Sequence, residues 1–462
     1  MRENLPIVAI VGRTNVGKSS LTNALVGYAR SIVAKESGTT RDSIFVVCQY
    51  QDQKFWLVDT AGLKKAEDDF EQTIQEQILE ASEAADLILV TVEAGIPVSD
   101  EDLRVAKIAR DSKKPVLIVV NKSDTLKLSG SEDLKQEQNK WRRLGVEQII
   151  FTSAIHKHGL DELLSLATSQ IPKKQTYEDT DLAIAFLGRP NVGKSSIFNA
   201  LAKKQQAIVA DVAGTTRDIN SIRVKFEQKN IELLDTAGIR KPGKIEQGLE
   251  QFSVLKTLRA IQQSDVCVVL LDVNQLATSL DQRILGMVKD ANRGLIIAIS
   301  KWDTLVDKTE FSADNISAYL QKELPFIPWA PLIFTSSLTG HNLNKLFGLA
   351  QEIQTQRLKK IKTTELNKWL RAAVAHHAIP PAKGNLQPTL QYAVQEQDTP
   401  YPSFQLYGNH TRKIHWSYKR YLEKSLRQQF DFNGTPLEIW FMQKEVRGTK
   451  KKTTYKDRSH RT

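Results

Sequence analysis

Gly12, Arg13, Thr14, Asn15, Val16, Gly17, Lys18 and Ser19 form a G-x-x-x-x-G-K-S run, and Gly188, Arg189, Pro190, Asn191, Val192, Gly193, Lys194 and Ser195 form a second. Placed between a strand and a helix, such a run wraps backbone N–H groups around a β-phosphate while its lysine adds a fixed positive charge. Lys18 and Lys194 carry that charge here. The hydroxyls of Ser19 and Ser195 suit Mg2+, with the strand-end carboxylates Asp59 and Asp235 holding the metal through water. Asn121, Lys122, Ser123 and Asp124 then select the base. An acidic side chain beyond the fourth strand accepts hydrogen bonds from guanine N1 and its exocyclic amine, and adenine has no such donors. GTP and GDP are therefore the implied ligands. The second copy reads Ser300, Lys301, Trp302 and Asp303. Serine is too short both to contact the base and to tie its loop to the phosphate loop, so this site is expected to be guanine-specific but weaker. In the last motif, Thr152-Ser-Ala154 and Thr335-Ser-Ser337, a backbone N–H binds the base, and Ser337 in place of alanine is tolerated.

Hydrolysis departs from the common pattern. Many small GTPases orient the attacking water with a glutamine directly after an Asp-x-x-Gly motif. Asp59, Thr60, Ala61 and Gly62 are followed by Leu63, and Asp235, Thr236, Ala237 and Gly238 by Ile239. An aliphatic side chain cannot orient water, so no residue is assigned as general base and hydrolysis is expected to be slow. Asn15 and Asn191, at matched places in the phosphate loops, are candidates to hold K+ against the phosphates; alternatively each stabilises its own loop.

These motifs are duplicated in register. An offset of 176 relates Gly12 to Gly188, Gly38-Thr-Thr-Arg-Asp42 to Gly214-Thr-Thr-Arg-Asp218, and Asp59 to Asp235, drifting later to 179 and 183 as surface loops lengthen. Within each copy, β-branched runs alternate with helical periodicity, which implies a mostly parallel, doubly wound α/β sheet. The runs are Ile7–Val11, Phe55–Val58, Leu87–Val92, Val116–Val120 and Ile149–Phe151, repeated as Leu182–Leu187, Ile231–Leu234, Val266–Leu271, Leu295–Ile299 and Leu332–Phe334. A third unit reads helix-strand-strand-helix-strand, with Leu366, Trp369, Leu370, Ala373 and Val374 on one helical face. The expected fold is thus two tandem P-loop GTPase domains (1–171 and 182–361) joined by a polar linker (172–181). A small α+β domain (362–443) and a basic tail (444–462) follow.

Charge is concentrated at the C-terminal end. Residues 362–462 hold eighteen Lys and Arg against eight Asp and Glu, so +10 of the net +11 lies there. A polyanionic partner is implied. The last nineteen residues carry eight basic side chains and almost nothing apolar, the signature of a segment that is disordered when free and suited to RNA phosphates, or of a solubilising tail. Arg412, Lys413, Trp416, Tyr418, Lys419, Arg420 and Tyr421 interleave basic and aromatic side chains, of which half must be core. The two cysteines, Cys48 and Cys267, read as buried free thiols, and His156, His158, His376 and His377 as loop or packing residues. No run approaches the ~20 apolar residues that span a bilayer. A strand-like run begins within a few residues of Met1, leaving no room for a leader peptide, and a cytoplasmic location without membrane partners is expected.

The paired Gly-x-x-Asn-Val-Gly-Lys-Ser loops, the Gly-Thr-Thr-Arg-Asp segments, the Asp-Thr-Ala-Gly-aliphatic motifs and the basic third unit together resemble the Der (EngA) family of tandem-domain bacterial GTPases, over essentially the whole chain. The resemblance implies two Era-like G domains, a KH-like C-terminal domain and a role in assembling the large (50S) ribosomal subunit on its rRNA, with a protein that is monomeric when free. It implies that Asn15 and Asn191 bind K+. It also implies that one of Thr39 and Thr40, and one of Thr215 and Thr216, approaches Mg2+ in the GTP state. The third unit departs from RNA-clamping KH domains, because between 362 and 443 the glycines are Gly384, Gly408 and Gly434, which form no Gly-x-x-Gly loop. Two other function classes compete: a tRNA-modification GTPase, which would carry a C-terminal cysteine motif and a folate-binding domain that this chain lacks, and a membrane-associated GTPase, which would need a membrane segment.

Overall fold

Runs of β-branched and aliphatic residues with no polar interruption make strands buried on both faces, and these build the centre of each repeat. In the computed structural model, which describes residues 5–31, 45–59, 85–126, 131–171, 180–204, 220–227, 229–235, 254–305, 312–381 and 386–443, the first repeat forms one sheet. Its strands are β1 (Ile7–Val11), β2 (Arg30–Ser31), β3 (Phe45–Tyr50), β4 (Gln53–Asp59), β5 (Leu87–Glu93), β6 (Val116–Asn121) and β7 (Ile149–Phe151). The order is β2-β3-β4-β1-β5-β6-β7, parallel from β4 to β7. Between and after them lie α1 (Lys18–Tyr28), α2 (Asp100–Asp111), α3 (Ser131–Arg142) and α4 (Leu160–Gln170).

The second repeat rebuilds this plan with β8 (Leu182–Leu187), β9 (Asn220–Phe226), β10 (Lys229–Asp235), β11 (Val266–Asp272), β12 (Gly294–Ser300) and β13 (Leu332–Phe334), ordered β13-β12-β11-β8-β10-β9. Its helices are α5 (Lys194–Lys204), α6 (Val254–Gln263), α7 (Ser279–Asp290), α8 (Ala313–Glu323) and α9 (Leu343–Leu358). In both sheets the phosphate-loop strand is central, and the crossing of the chain from one side of it to the other opens the crevice where ligands bind in such folds.

Three strands lie outside the runs named above: β2 pairs antiparallel with β3, and β3 and β9 pair antiparallel with β4 and β10. In β9, among the residues whose burial is described, Ile222 and Val224 are buried, alternating with Ser221, Arg223 and Lys225. A half-solvated edge has that period-2 pattern and lacks the continuous apolar run of the parallel strands.

The described chain divides into two compact units, 358–432 with 437–443 forming the second, while Asn433–Pro436 belongs with the G domains. There Leu295 N–H donates to Gly434 O and Gly434 N–H to Trp329 O (2.8 and 2.9 Å). A Cβ on Gly434 would lie 2.4 Å from Ile353, and its φ of 67° is one that glycine adopts freely. In the second unit α10 (Thr363–His376) and α11 (Trp416–Phe430) cover one face of the sheet β14 (Thr389–Gln395), β15 (Ser403–Asn409) and β16 (Glu438–Gln443). Leu366, Trp369, Leu370 and Ala373 are buried there and Val374 packs against them, as the helical spacing requires. Cys48 and Cys267 are free and buried, and burial pushes their thiols up to about 12 and about 11. Among the described residues no helix is long and apolar enough to cross a membrane.

Candidate nucleotide-binding sites

β1 ends at Val11 and α1 begins at Lys18; the six residues between must reverse direction while keeping their N–H groups on the inside. The dihedrals do this at the same three places in each copy: Gly12, Asn15 and Gly17 have φ of 148°, 66° and 92°, and Gly188, Asn191 and Gly193 have 147°, 64° and 96°. Gly12 also has no room for a side chain, since a Cβ would stand 2.3 Å from Thr91 O on β5. Asparagine is among the few non-glycine residues that enter the left-handed region readily. The resulting concavity of N–H groups leads into the N-terminus of α1, whose N-cap, Gly17, supplies no side-chain hydrogen bond to the first turn. Those donors suit phosphate oxygens. Lys18 Nζ, 6% exposed, donates to Gly12 O and Arg13 O (2.7 and 2.6 Å), and Lys194 Nζ to Arg189 O (2.9 Å), so each ammonium is held within its loop.

The base-reading loops follow β6 and β12. Lys122 and Lys301 are left-handed (φ 62° and 59°) and start short 3-10 turns that carry Asp124 and Asp303 exposed at the surface. Ser153 Oγ donates to Asp124 Oδ1, and Ser336 Oγ to Asp303 Oδ1, orienting each carboxylate. The Ser153 hydroxyl and the nearby His156 and His158 hold Asp124 below the usual carboxylate range despite some desolvation, which keeps it an acceptor for guanine N–H groups.

At Asn121 the two copies part. Asn121 Nδ2 donates to Val16 O (3.1 Å), and its Oδ1 accepts from Thr152 Oγ1 and Ala154 N–H (both 3.3 Å), so one buried carboxamide links three loops. Ser300, equally buried, donates instead to Leu271 O (3.1 Å) on its own sheet. The glycines register the loss: a Cβ on Gly17 would meet Asn121 Nδ2 at 2.5 Å, whereas one on Gly193 meets nothing within 4 Å.

A magnesium ion needs hard oxygen donors and tolerates shared water ligands. Asp59, 5% exposed, closes β4 in register with Ile10, one strand over from the phosphate loop, and Ser19 opens α1 with its side chain exposed. Asp235 closes β10 in register with Phe186, and Ser195 lies in the first turn of α5. That donor set and placement fit Mg2+ beside a bound phosphate. Thr39, Thr40, Thr60, Ala61, Gly62, Leu63, Thr215, Thr216, Thr236, Ala237, Gly238 and Ile239 lie outside the described residues, as does the tail 444–462.

Two kinds of residue around these sites escape motif reading. Asp86 Oδ2 accepts Ile7 N–H (2.8 Å) and Asp265 Oδ2 accepts Ala183 N–H (2.9 Å), each fixing the start of a phosphate-loop strand. The other kind is the pair of acidic helix caps Asp102 and Asp281, which face the motif residues Arg13 and Arg189 as described below. Both sets recur at the internal offset of the repeat, and aligning the chain with itself would have found them.

In the C-terminal unit the basic and aromatic stretch separates into two parts. Tyr418 and Tyr421 face inward, donating to His377 O and Ala373 O, and the ring of His377 stacks on that of Tyr418. Trp416 is 43% exposed with the Arg420 guanidinium 4.5 Å from its ring centroid, and Arg412 and Lys413 are exposed on the preceding turn.

Comparison with known proteins bears on both units. The profile of the 50S ribosome-binding GTPase family matches residues 7–122 and again 183–301, and that of the KH-domain-like C-terminal region of EngA bacterial GTPase enzymes matches 360–442. Among curated proteins the chain is 40% identical to GTPase Der of Herpetosiphon aurantiacus over 455 residues, covering 96% of this chain and 98% of that one. It is 38% identical to GTPase Der of Thermomicrobium roseum over 453 residues, 96% of each. Two guanine-nucleotide domains that use Mg2+ and hydrolyse GTP, followed by a KH-like domain, are what these matches and the fold share: the chain belongs to the Der (EngA) family of bacterial GTPases.

Proposed function

We propose that this protein is a GTP-driven assembly factor of the large ribosomal subunit, acting in the cytoplasm as a free monomer that engages rRNA. The observation that carries the reading is the union of two guanine sites with a C-terminal region holding +10 of the net +11 charge, in a chain whose G domains match a family described as 50S ribosome-binding. Nucleotide state sets the conformation of the G domains, the basic region supplies phosphate contacts, and hydrolysis resets the cycle.

Within each site the division of labour follows from chemistry. Asp124 and Asp303 accept from guanine N1–H and N2–H. The loops Gly12–Ser19 and Gly188–Ser195 bind the phosphates through backbone N–H groups, with Lys18 and Lys194 offsetting the negative charge. Ser19 with Asp59, and Ser195 with Asp235, hold Mg2+, which when bound neutralises charge building on the phosphate oxygens. Thr39 or Thr40, and Thr215 or Thr216, complete that shell in the GTP state. Leu63 and Ile239 are aliphatic and cannot orient the attacking water, so turnover is slow. Asn15 and Asn191, exposed at the left-handed bend of each loop, hold K+ where it supplies the missing positive charge.

RNA contact runs through the exposed edge Arg412, Lys413, Trp416 and Arg420 together with the tail 444–462, without a Gly-x-x-Gly clamp. Sedimentation of tagged protein from lysate with a GTP analogue or GDP tests the whole reading. Nucleotide-dependent migration with large-subunit particles is expected; migration with tRNA-modifying complexes or membranes would replace it with one of those classes.

A further inference from the structure

The second residue of each phosphate loop is an arginine whose charge is held by a helix cap. Arg13 Nε lies 3.4 Å from Asp102 Oδ1, and its Nη2 lies 3.6 Å from Glu93 Oε2. Asp102 is the N3 residue of α2: its other oxygen, Oδ2, accepts Ser99 N–H and Ser99 Oγ–H (3.0 and 2.7 Å), and Ser99 Oγ accepts Asp102 N–H in return. The second repeat does the same. Asp281 Oδ2 accepts from Thr278 N and Oγ1 (3.1 and 2.9 Å) at the start of α7, and Oδ1 faces Arg189 Nε at 3.8 Å. Arg189 also donates to Gln275 O (2.9 Å) and Gln275 Oε1.

A capping box does not require this. Its N3 partner is commonly Glu or Gln near the surface, and a neutral amide serves. These carboxylates are 2% and 0% exposed, and an ionised carboxylate that deep is costly without a counter-charge. Burial pushes Asp281 up, while the Thr278 hydroxyl and the Arg189 charge act against it. So each cap spends one oxygen on its helix and keeps the other for the loop.

The acid at the end of the neighbouring strand extends the link. Glu93 receives Lys122 Nζ at 2.9 Å, and that ammonium also donates to Asn15 O (2.9 Å). Asp272 receives Lys301 Nζ at 2.7 Å. We infer that Asp102 and Asp281 are positioning residues for nucleotide binding: through Arg13 and Arg189 they anchor the loop segment containing Asn15 and Asn191, joining it to the rigid start of a helix on the far side of β5 and β11. The inference rests on the reading of these loops as nucleotide sites. Neither acid lies in a nucleotide motif, and each reaches the phosphate loop through its arginine, so their effect falls on binding.

The test uses the full-length protein carrying Asp303→Asn, which replaces the guanine acceptor of the second site and leaves the first to report. Dissociation of a fluorescent GDP is followed by stopped flow. Asp102→Asn keeps the size of the side chain and an oxygen for Ser99, and Arg13→Gln leaves the cap untouched. Each is expected to speed dissociation about fivefold or more, the scale of a partly buried charge-assisted contact, and Asp102→Asn is expected to leave kcat at saturating GTP unchanged. The double variant is expected to be no faster than the faster single variant. Ser99→Ala, which removes the cap's hydroxyl and leaves Arg13 its partner, is expected to lower the melting temperature without changing dissociation. If Arg13→Gln and Asp102→Asn release GDP at the parent rate, the acid is a helix cap and nothing more, and if their effects multiply, it does not act through Arg13; either result overturns the inference. Absence of GDP binding by the parent would instead sink the site reading itself.

Discussion

Restoring an asparagine at position 300 should repair the second guanine site. Asn121 joins the base loop of the first site to Val16 O and receives Thr152 and Ala154, whereas Ser300 turns to Leu271 O. The pocket beside Gly193 that the longer side chain would fill is open: a Cβ there meets nothing within 4 Å, against 2.5 Å to Asn121 Nδ2 at Gly17. Ser300→Asn therefore adds a tie without overpacking. One neutral hydrogen bond is worth roughly 0.5–1.5 kcal/mol net, so GDP affinity at the second site should rise about two- to twelve-fold. The assay is titration and dissociation of fluorescent GDP on full-length protein carrying Asp124→Asn, which leaves the second site as the guanine reader. The reciprocal Asn121→Ser in an Asp303→Asn background should lose a similar factor at the first site. If Ser300→Asn folds with an undiminished melting temperature and GDP affinity does not move, the loop has compensated by other contacts and the reasoning from Ser300 fails.

GTP turnover should be faster in K+ than in Na+, since both copies lack the glutamine and both carry the loop asparagine; equal rates, or an unchanged K+ response in Asn15→Ala/Asn191→Ala, would remove that role. Deleting 444–462 should lower both the affinity for ribosomal particles and its salt slope, each lost phosphate contact taking with it about 0.7–0.9 of a released counterion, while free GTPase activity stays put. Trp416→Ala, at a 43% exposed site, should weaken RNA binding with little change in melting temperature; a stability loss without an RNA effect would mark it as packing. Because burial holds Cys48 protonated up to about 12 and Cys267 up to about 11, a thiol reagent at pH 8 should label the native protein only as fast as it opens, and fast labelling of either cysteine would contradict that burial.

What could be read from residues alone, and what could not, divides along the range of the forces involved. A phosphate loop is a local object: its bends demand glycine or asparagine at fixed spacing, so Gly12, Asn15, Gly17 and their counterparts declare it in one dimension. The parallel strands are also local, because burial on both faces forces an unbroken apolar run. β9 was harder, since an antiparallel margin strand needs an apolar residue only at every second place, and Ile222 and Val224 among polar neighbours satisfy that without standing out. The Arg13–Asp102 link spans 89 residues and has no local signature whatever.

Duplication offers a way past that limit. After the split, each copy was free to drift wherever drift was tolerated, and the loops between motifs did, moving the offset from 176 to 179 and 183. Arg13 and Arg189 nevertheless match, as do Asp86 and Asp265, and Asp102 and Asp281, each performing the same contact twice. Where the copies differ, the structure says what the difference costs: Glu93 reaches both Lys122 and Arg13, while the shorter Asp272 keeps Lys301 and leaves Arg189 to Gln275. The first site thus has its base loop, strand end and phosphate loop joined by Asn121 and Glu93 together, and the second has neither joint in full. A second site so loosened should exchange nucleotide faster than the first, which makes it the better candidate to respond to changing GTP and GDP levels while the first holds its nucleotide.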